Sequence, residues 1–151
     1  MAWGRPKSWI TGLVVRLRRG RGGTAPDAGQ WGEQQAERML REKGYGIVGR
    51  RVRVGTRDEI DLVARDGAVL VFVEVKARKG EFFGRPLAAV DRAKRHALSR
   101  AAVRYLERLK NPRVCFRFDV VEVVGLAGDP APVVRHVPNA FALDRQYALP
   151  C

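Results

Sequence analysis

Glu59-Ile60-Asp61-Leu62-Val63-Ala64-Arg65-Asp66-Gly67-Ala68-Val69-Leu70-Val71-Phe72-Val73-Glu74-Val75-Lys76-Ala77-Arg78 is the stretch on which the architecture turns. Two runs with strand character, Glu59–Arg65 and Val69–Ala77, flank Asp66-Gly67, the dipeptide preferred in two-residue type I′ hairpins. That turn predicts a register in which Arg65 pairs with Ala68, Asp61 lies opposite Phe72, and Glu59 lies opposite Glu74. Opposed residues, and every second residue along a strand, share a face of the sheet. Glu59, Asp61, Glu74 and Lys76 therefore fall on one face. Ile60, Leu62, Ala64, Val71, Val73 and Val75 fall on the other, which is wholly apolar and is the predicted core side.

The second run, Leu70–Lys76, is apolar on both faces apart from Glu74 and Lys76. Charge inside such a central strand is costly unless it is paired or metal-bound. In the predicted register Asp61 and Glu74 are diagonal neighbours, about 7–8 Å apart at Cα and closer at their side chains. Two carboxylates at that reach can chelate one hard divalent cation and leave positions for water and a phosphate oxygen. Lys76 adds a positive charge suited to orienting or deprotonating an attacking water and to offsetting charge on a phosphorane. The plainer alternative is a solvated strand face whose ion pairs contribute ~0–1 kcal/mol each.

Around this hairpin the pattern alternates helix and strand. Gln30–Lys43 reads as a helix with Ala36, Met39 and Leu40 on its apolar side, Glu33 in the same phase and Gly44 as its stop. Ile47–Val54 reads as a strand. A long helix is predicted from about Pro86 to Leu109, with Leu87, Val90, Ala97, Leu98, Ala101 and Tyr105 inward and Lys94 in their phase. Val114–Val124 and Val133–Val137 read as further strands, and Phe141 closes the domain. Arg92, Arg95, Arg100 and Arg104 are expected mostly on the outer helix face, Cys115 in the core, and Arg117 with Asp119 as a local ion pair. His96 and His136 have no ligand spacing and read as surface or packing residues.

The chain has 151 residues, enough for one domain with a sizeable core. Its composition, 46% hydrophobic and 30% charged, is that of a globular rather than a disordered protein. The net charge of +13 points to polyanions as partners, nucleic acid before a membrane surface. Residues 1–28 carry six basic side chains and one acid, so 6 − 1 gives +5 and leaves +8 for the remainder. Gly20–Gly23 and Pro26 mark this segment as a basic N-terminal arm, expected to be disordered, ahead of an α/β domain over 29–148. The apolar stretch Trp9–Val15 is too short to span a bilayer, and arginines rather than a cleavage site follow it. Cys115 and Cys151 form neither a disulfide framework nor a zinc pattern. The expectation is a cytoplasmic protein that engages neither membrane nor secretion.

Glu59-Ile60-Asp61-Leu62 followed by Val71-Phe72-Val73-Glu74-Val75-Lys76-Ala77-Arg78 resembles the YraN-like family of bacterial proteins. That family falls in the restriction-endonuclease-like PD-(D/E)xK superfamily and is similar to archaeal Holliday-junction resolvases. The resemblance runs from about Gly32 to Phe141 and takes in Gly32-Glu33, Phe83-Gly84, Lys94, Arg117-Phe118-Asp119 and Asn139-Ala140-Phe141. It implies an α/β fold with a mixed central sheet flanked by helices. It also implies a Mg²⁺- or Mn²⁺-dependent endonuclease acting on DNA, branched or single-stranded forms included, with Asp61, Glu74 and the Val75 carbonyl as metal ligands and Lys76 as catalytic lysine. Glu33 corresponds to the first-helix acid that assists metal binding, against the plainer reading of an acid favoured by the helix dipole. Lys94 and Arg78 are the expected nucleic-acid contacts, with snorkelling to solvent the other reading for Lys94. Glu59 is either a substitute ligand or an arginine partner. Where the superfamily has proline before its aspartate, this chain has Ile60, and Asp58 replaces the glycine common before the triplet. The expected partners are DNA and a second copy of the chain. A non-catalytic nucleic-acid-binding module of the same fold is the alternative.

Overall fold

The computed structural model of the chain describes residues 27–80 and 90–147. The basic arm through residue 26, Phe83-Gly84 and the expected helix start at Pro86 lie outside the described residues. Helix α1 (Ala28–Glu42) is capped by Asp27, whose carboxylate accepts from the Gly29 N–H. There follow β1 (Gly46–Val54), β2 (Asp58–Asp66), β3 (Val69–Arg78), α2 (Arg92–Arg108), β4 (Phe116–Val124), β5 (Val133–Phe141) and a 3₁₀ turn, Arg145–Tyr147. The strands stand in the order β1-β2-β3-β4-β5. Only β3 and β4 run parallel, with α2 between them in the chain, so the sheet is mixed as expected. Among the described residues no helix is long and apolar enough to cross a membrane.

Both faces of the sheet are buried, so the expectation of a single core side is corrected. Helix α1 covers one face with Trp31, Ala36 and Leu40 against Leu62, Ala64, Val71, Val73, Val121 and Val123. Helix α2 covers the other with Leu98, Ala101, Ala102, Tyr105 and Leu106 against Val63, Leu70, Phe72, Phe118 and Val120. Phe72 anchors this second core, its ring 5.6 Å from Tyr105 and 5.8 Å from Phe118, which in turn stacks on Phe141 at 4.8 Å. Helix α2 begins at Arg92 because Asp91 caps it, accepting from the Lys94 N–H at 2.8 Å.

The hairpin register differs from the predicted one. Asp66 pairs with Val69 and Leu62 with Val73, so the turn is Gly67-Ala68 rather than Asp66-Gly67. Gly67 takes a positive φ of 58° at the first turn position, where type II′ turns want glycine. Asp66 stays in the strand, its carboxylate 3.0 Å from Arg117. The slip is two residues, and with a side-chain period of two it leaves the faces unchanged.

Alternation fails earlier in β2. Ile60 packs with Val63 in the α2-side core, whereas Leu62 and Ala64 lie on the α1 side. Asp58 also turns to α2, where Arg100 holds it with bonds of 2.7 and 2.8 Å and Arg104 approaches to 3.5 Å. Glu59 is turned outward to Arg53 at 3.4 Å. The irregularity sits where Arg51 of β1, between the pairs Arg50↔Leu62 and Val52↔Ile60, adopts φ 43°. A left-handed residue in a strand bends it and re-aims its neighbours. Arg100 and Arg104 are therefore not simply an outer solvated face, and Glu59 does not join the other acids. Cys115, expected in the core, is exposed just ahead of β4.

Candidate active site

The β2–β3 ladder has its last pair at Leu62↔Val73, and beyond it Asp61 bridges the strands with its side chain. Asp61 Oδ2 accepts the Val75 N–H at 2.8 Å. A strand residue presents its N–H and C=O to the same neighbour, so the Val75 carbonyl faces the same gap. Glu74, one residue earlier, alternates to the α2 side and is buried, with 3% of its surface exposed. Its Oε1 takes two ammonium groups, Lys76 Nζ at 3.0 Å and Lys94 Nζ at 3.3 Å. Its Oε2 is buried without a hydrogen-bond partner among the described residues. Lys76 arrives from β3 itself and Lys94 from the first turn of α2, both partly exposed.

The electrostatics are those of an under-compensated acid pair. Burial pushes the Asp61 carboxyl up to about 7, the charge of Glu74 adds to the rise, and the Val75 amide and Lys94 only partly oppose it. Two close carboxylates, an orphaned buried oxygen and a carbonyl facing the same gap form an all-oxygen donor set that fits Mg²⁺ or Mn²⁺ and suits zinc poorly. Metal binding there would rest on two acids and a carbonyl, because no group of three or more His, Cys, Asp or Glu residues is arranged to hold an ion among the described residues.

Glu33 stands on α1 near the pair. Its carboxylate is bound by Arg51 at 2.7 Å, although its charge is near enough to raise Asp61 further. What brings α1 this close is Gly32, where an added Cβ would lie 2.8 Å from the Ala77 Cβ. Arg78 lies on the face of Glu74 and Lys76 but pairs with Glu122 of β4 at 3.4 Å. Lys94 touches a site carboxylate, one of the contacts expected for it. Glu122 escaped the sequence reading, though an acid inside Val120-Val121-Glu122-Val123-Val124 carries the same signal as Glu74. Arg135 of β5, 3.0 Å from Glu122, had no such signal. His136 is the packing residue rather than the surface one of its two expected readings: its side chain is 3% exposed and lies 2.8 Å from Asp119.

Comparison with known proteins agrees with this chain order of motifs. The model of the uncharacterised protein family UPF0102 matches residues 32–123, from Gly32 at the α1–β3 contact through the acids to β4. The UPF0102 protein of Symbiobacterium thermophilum is 47% identical over 117 residues, covering 75% of this chain and 94% of the relative. That of Chlorobaculum tepidum is 41% identical over 123 residues, covering 76% and 95%. That of Nocardia farcinica is 43% identical over 115 residues, covering 75% and 87%. The chain belongs to the UPF0102 family, the YraN-like family that its Asp61–Lys76 segment resembles.

Proposed function

We propose that the chain is a divalent-metal-dependent nuclease that hydrolyses DNA phosphodiester bonds, with its site at Asp61, Glu74, Val75 and Lys76. The observation that carries the reading is Glu74, a buried carboxylate with two lysines on one oxygen and, among the described residues, nothing on the other, beside an Asp61 whose ionisation is suppressed. A purely structural acid would be satisfied by its neighbours, since unpaired buried polar atoms cost about 1–3 kcal/mol each. Asp61, Glu74 and the Val75 carbonyl would hold Mg²⁺ or Mn²⁺. Such an ion, when bound, polarises a phosphate oxygen and makes water a better nucleophile.

The chain's own groups do the rest. Lys76 Nζ, fixed beside Glu74, orients the attacking water and offsets negative charge as the phosphorus becomes five-coordinate. Lys94 brings a second ammonium group to the phosphodiester from the opposite layer. The chain's +13 charge draws the polyanion in. The test is incubation of the full chain with single-stranded, duplex, flap and four-way-junction DNA in Mg²⁺ or Mn²⁺, beside Glu74→Gln. Metal-dependent cleavage that the variant loses is the expected result. Binding without cleavage of any substrate in either metal would leave a nucleic-acid-binding module instead.

A further inference from the structure

Arg50 and Arg51 of β1 both turn to α1, where Arg50 pairs with Glu37 and Arg51 Nε donates to Glu33 at 2.7 Å. Neighbouring residues of a regular strand point to opposite faces, whereas Glu33 and Glu37 lie one turn apart on the same side of their helix. Two consecutive arginines reach them because Arg51 takes its left-handed φ of 43°. That conformation costs an arginine more than an ion pair half open to solvent contributes. With 46% of the Arg51 side chain exposed, the bond to Glu33 does not account for the conformation on grounds of stability. Strained backbone that its surroundings hold in place gathers at sites that bind or react, and Arg51 stands at such a place. It lies between the pairs Arg50↔Leu62 and Val52↔Ile60, level with Asp61 on the adjoining strand, and β1 is the edge of the sheet. Glu33 takes the Nε–H, and among the described residues Nη1 and Nη2 make no hydrogen bond.

We infer that Arg51, oriented by Glu33, binds the phosphodiester next to the one at Asp61 and Glu74, with its two Nη groups on the non-bridging oxygens. The inference rests on the nuclease reading and adds to it the side from which nucleic acid enters: over the β1 edge, past α1. Directly opposed residues of paired antiparallel strands stand about 4.5–5.5 Å apart at Cα. A nucleic-acid strand advances about 3.4 Å along its axis per nucleotide, so a phosphate at Asp61 brings its neighbour within reach of an arginine one strand away. The guanidinium edge formed by Nη1 and Nη2 matches two phosphate oxygens in shape as well as charge, provided that its plane is fixed. The bond from Nε to Glu33 fixes that plane without occupying that edge. Because Arg51 pairs with Glu33 and not with Asp61, the acid pair stays open to a cation while a guanidinium beside it serves the substrate.

The test is equilibrium binding of the full chain to a short single-stranded oligodeoxynucleotide and to a duplex, without divalent metal, over a range of salt. Arg51→Asn is the informative variant, because asparagine tolerates a left-handed φ and carries no charge. It should melt no lower than wild type. It should flatten the slope of log K against log salt by about 0.7 on the single strand and about 0.9 on duplex. Arg51→Gly, which suits the conformation better still, should lose the same slope. Arg38→Ala, on the exposed side of α1 and paired with Glu42, removes the same charge and should leave the slope unchanged. A wild-type slope in both Arg51 variants, or the same loss in Arg38→Ala, overturns the contact while leaving the nuclease reading intact. So does a melting temperature well below wild type in Arg51→Asn, because stability would then account for the arginine. A wild-type chain that binds neither oligonucleotide overturns the contact and the nuclease reading together.

Discussion

Asp61 on β2 and Asp119 on β4 do the same backbone work in two places. Asp61 stands just past the last β2–β3 pair, Leu62↔Val73, and Asp119 in the register shift between Phe118 and Val120, and each has a left-handed residue on a neighbouring strand, Arg51 at φ 43° and Asn139 at φ 50°. Each carboxylate accepts a backbone N–H from the adjacent strand, Val75 at 2.8 Å and Asn139 at 2.9 Å. Their remaining surroundings differ. Asp119 is fully buried and receives Arg117 Nε at 2.9 Å on one oxygen and His136 Nε2 at 2.8 Å on the other. Asp61 receives no ion pair among the described residues and faces Glu74 instead. Burial acts to raise both carboxyls. At Asp119 the bonds from His136, Arg117 and the Asn139 amide overcome it and the carboxyl is held below its ordinary range, whereas Asp61 is pushed up to about 7. One aspartate is finished as a structural joint, and the other is left short of positive charge.

The sharpest way to break this contrast is Asp119→Ala. It leaves Arg117, His136 and the Asn139 N–H without their shared acceptor, and removing one partner of a buried ion pair costs about 3–5 kcal/mol. We expect the loss in urea denaturation at neutral pH. Because the folded-state pKa of Asp119 is depressed, its contribution is present above the ordinary carboxylate pKa and is lost as pH falls through the lowered value. The wild-type advantage should therefore shrink in acid. A loss below about 1 kcal/mol at neutral pH, the range of an exposed pair, would mean that Asp119 is not the joint described.

Asp61→Asn should do the reverse. The amide oxygen still accepts the Val75 N–H, and the repulsion from Glu74 is gone. The Asp61 carboxyl ionises near its ordinary pKa in the unfolded chain and only at about 7 in the folded one. Between those values the unfolded chain holds fewer protons, so metal-free stability falls as pH rises. We expect the Asp61→Asn variant to be more stable than wild type by on the order of 1 kcal/mol at about pH 8, with the gain vanishing near about pH 4. A variant less stable than wild type on the alkaline side, without metal, would place Asp61 with Asp119 as a structural acid.

The same two aspartates show what a sequence makes legible. Asp61, Glu74 and Lys76 could be assembled from period-two alternation alone, and the two-residue error in the turn did no harm because it preserves parity. Period two failed at Asp58–Ile60, where Arg51 adopts a left-handed conformation that no glycine announces. The Arg117–Asp119 pair is local and was readable. Its completion by His136 depends on β4–β5 pairing and a register shift between Phe118 and Val120, which no local pattern encodes. The start of α2 at Arg92 follows from Asp91, a good N-cap, whereas the expected start at Pro86 lies outside the described residues. Glu122 was legible by the argument that singled out Glu74, whereas its arginine partners became visible only once β3, β4 and β5 were side by side.

The smallest expected effect tests how far the Asp61 environment extends. Glu33 is bound to Arg51, with 18% of its side chain exposed, yet its charge contributes to the raised Asp61 carboxyl. Glu33→Gln keeps the size of the side chain and the helix, and it removes one negative charge from the neighbourhood of the acid pair. A pair partly open to solvent contributes ~0–1 kcal/mol, so the melting temperature should move by no more than a few degrees. The charge should matter more to an ion at Asp61 and Glu74, because losing a nearby anion weakens the attraction for a dication without removing a ligand. In a titration of metal-dependent thermal stabilisation, we therefore expect the Mn²⁺ midpoint to rise severalfold while the maximum shift is retained. An unchanged midpoint would confine Glu33 to its bond with Arg51. Complete loss of the shift would make it a direct ligand, which would require α1 to deliver its carboxylate past Arg51 into the gap beside Val75.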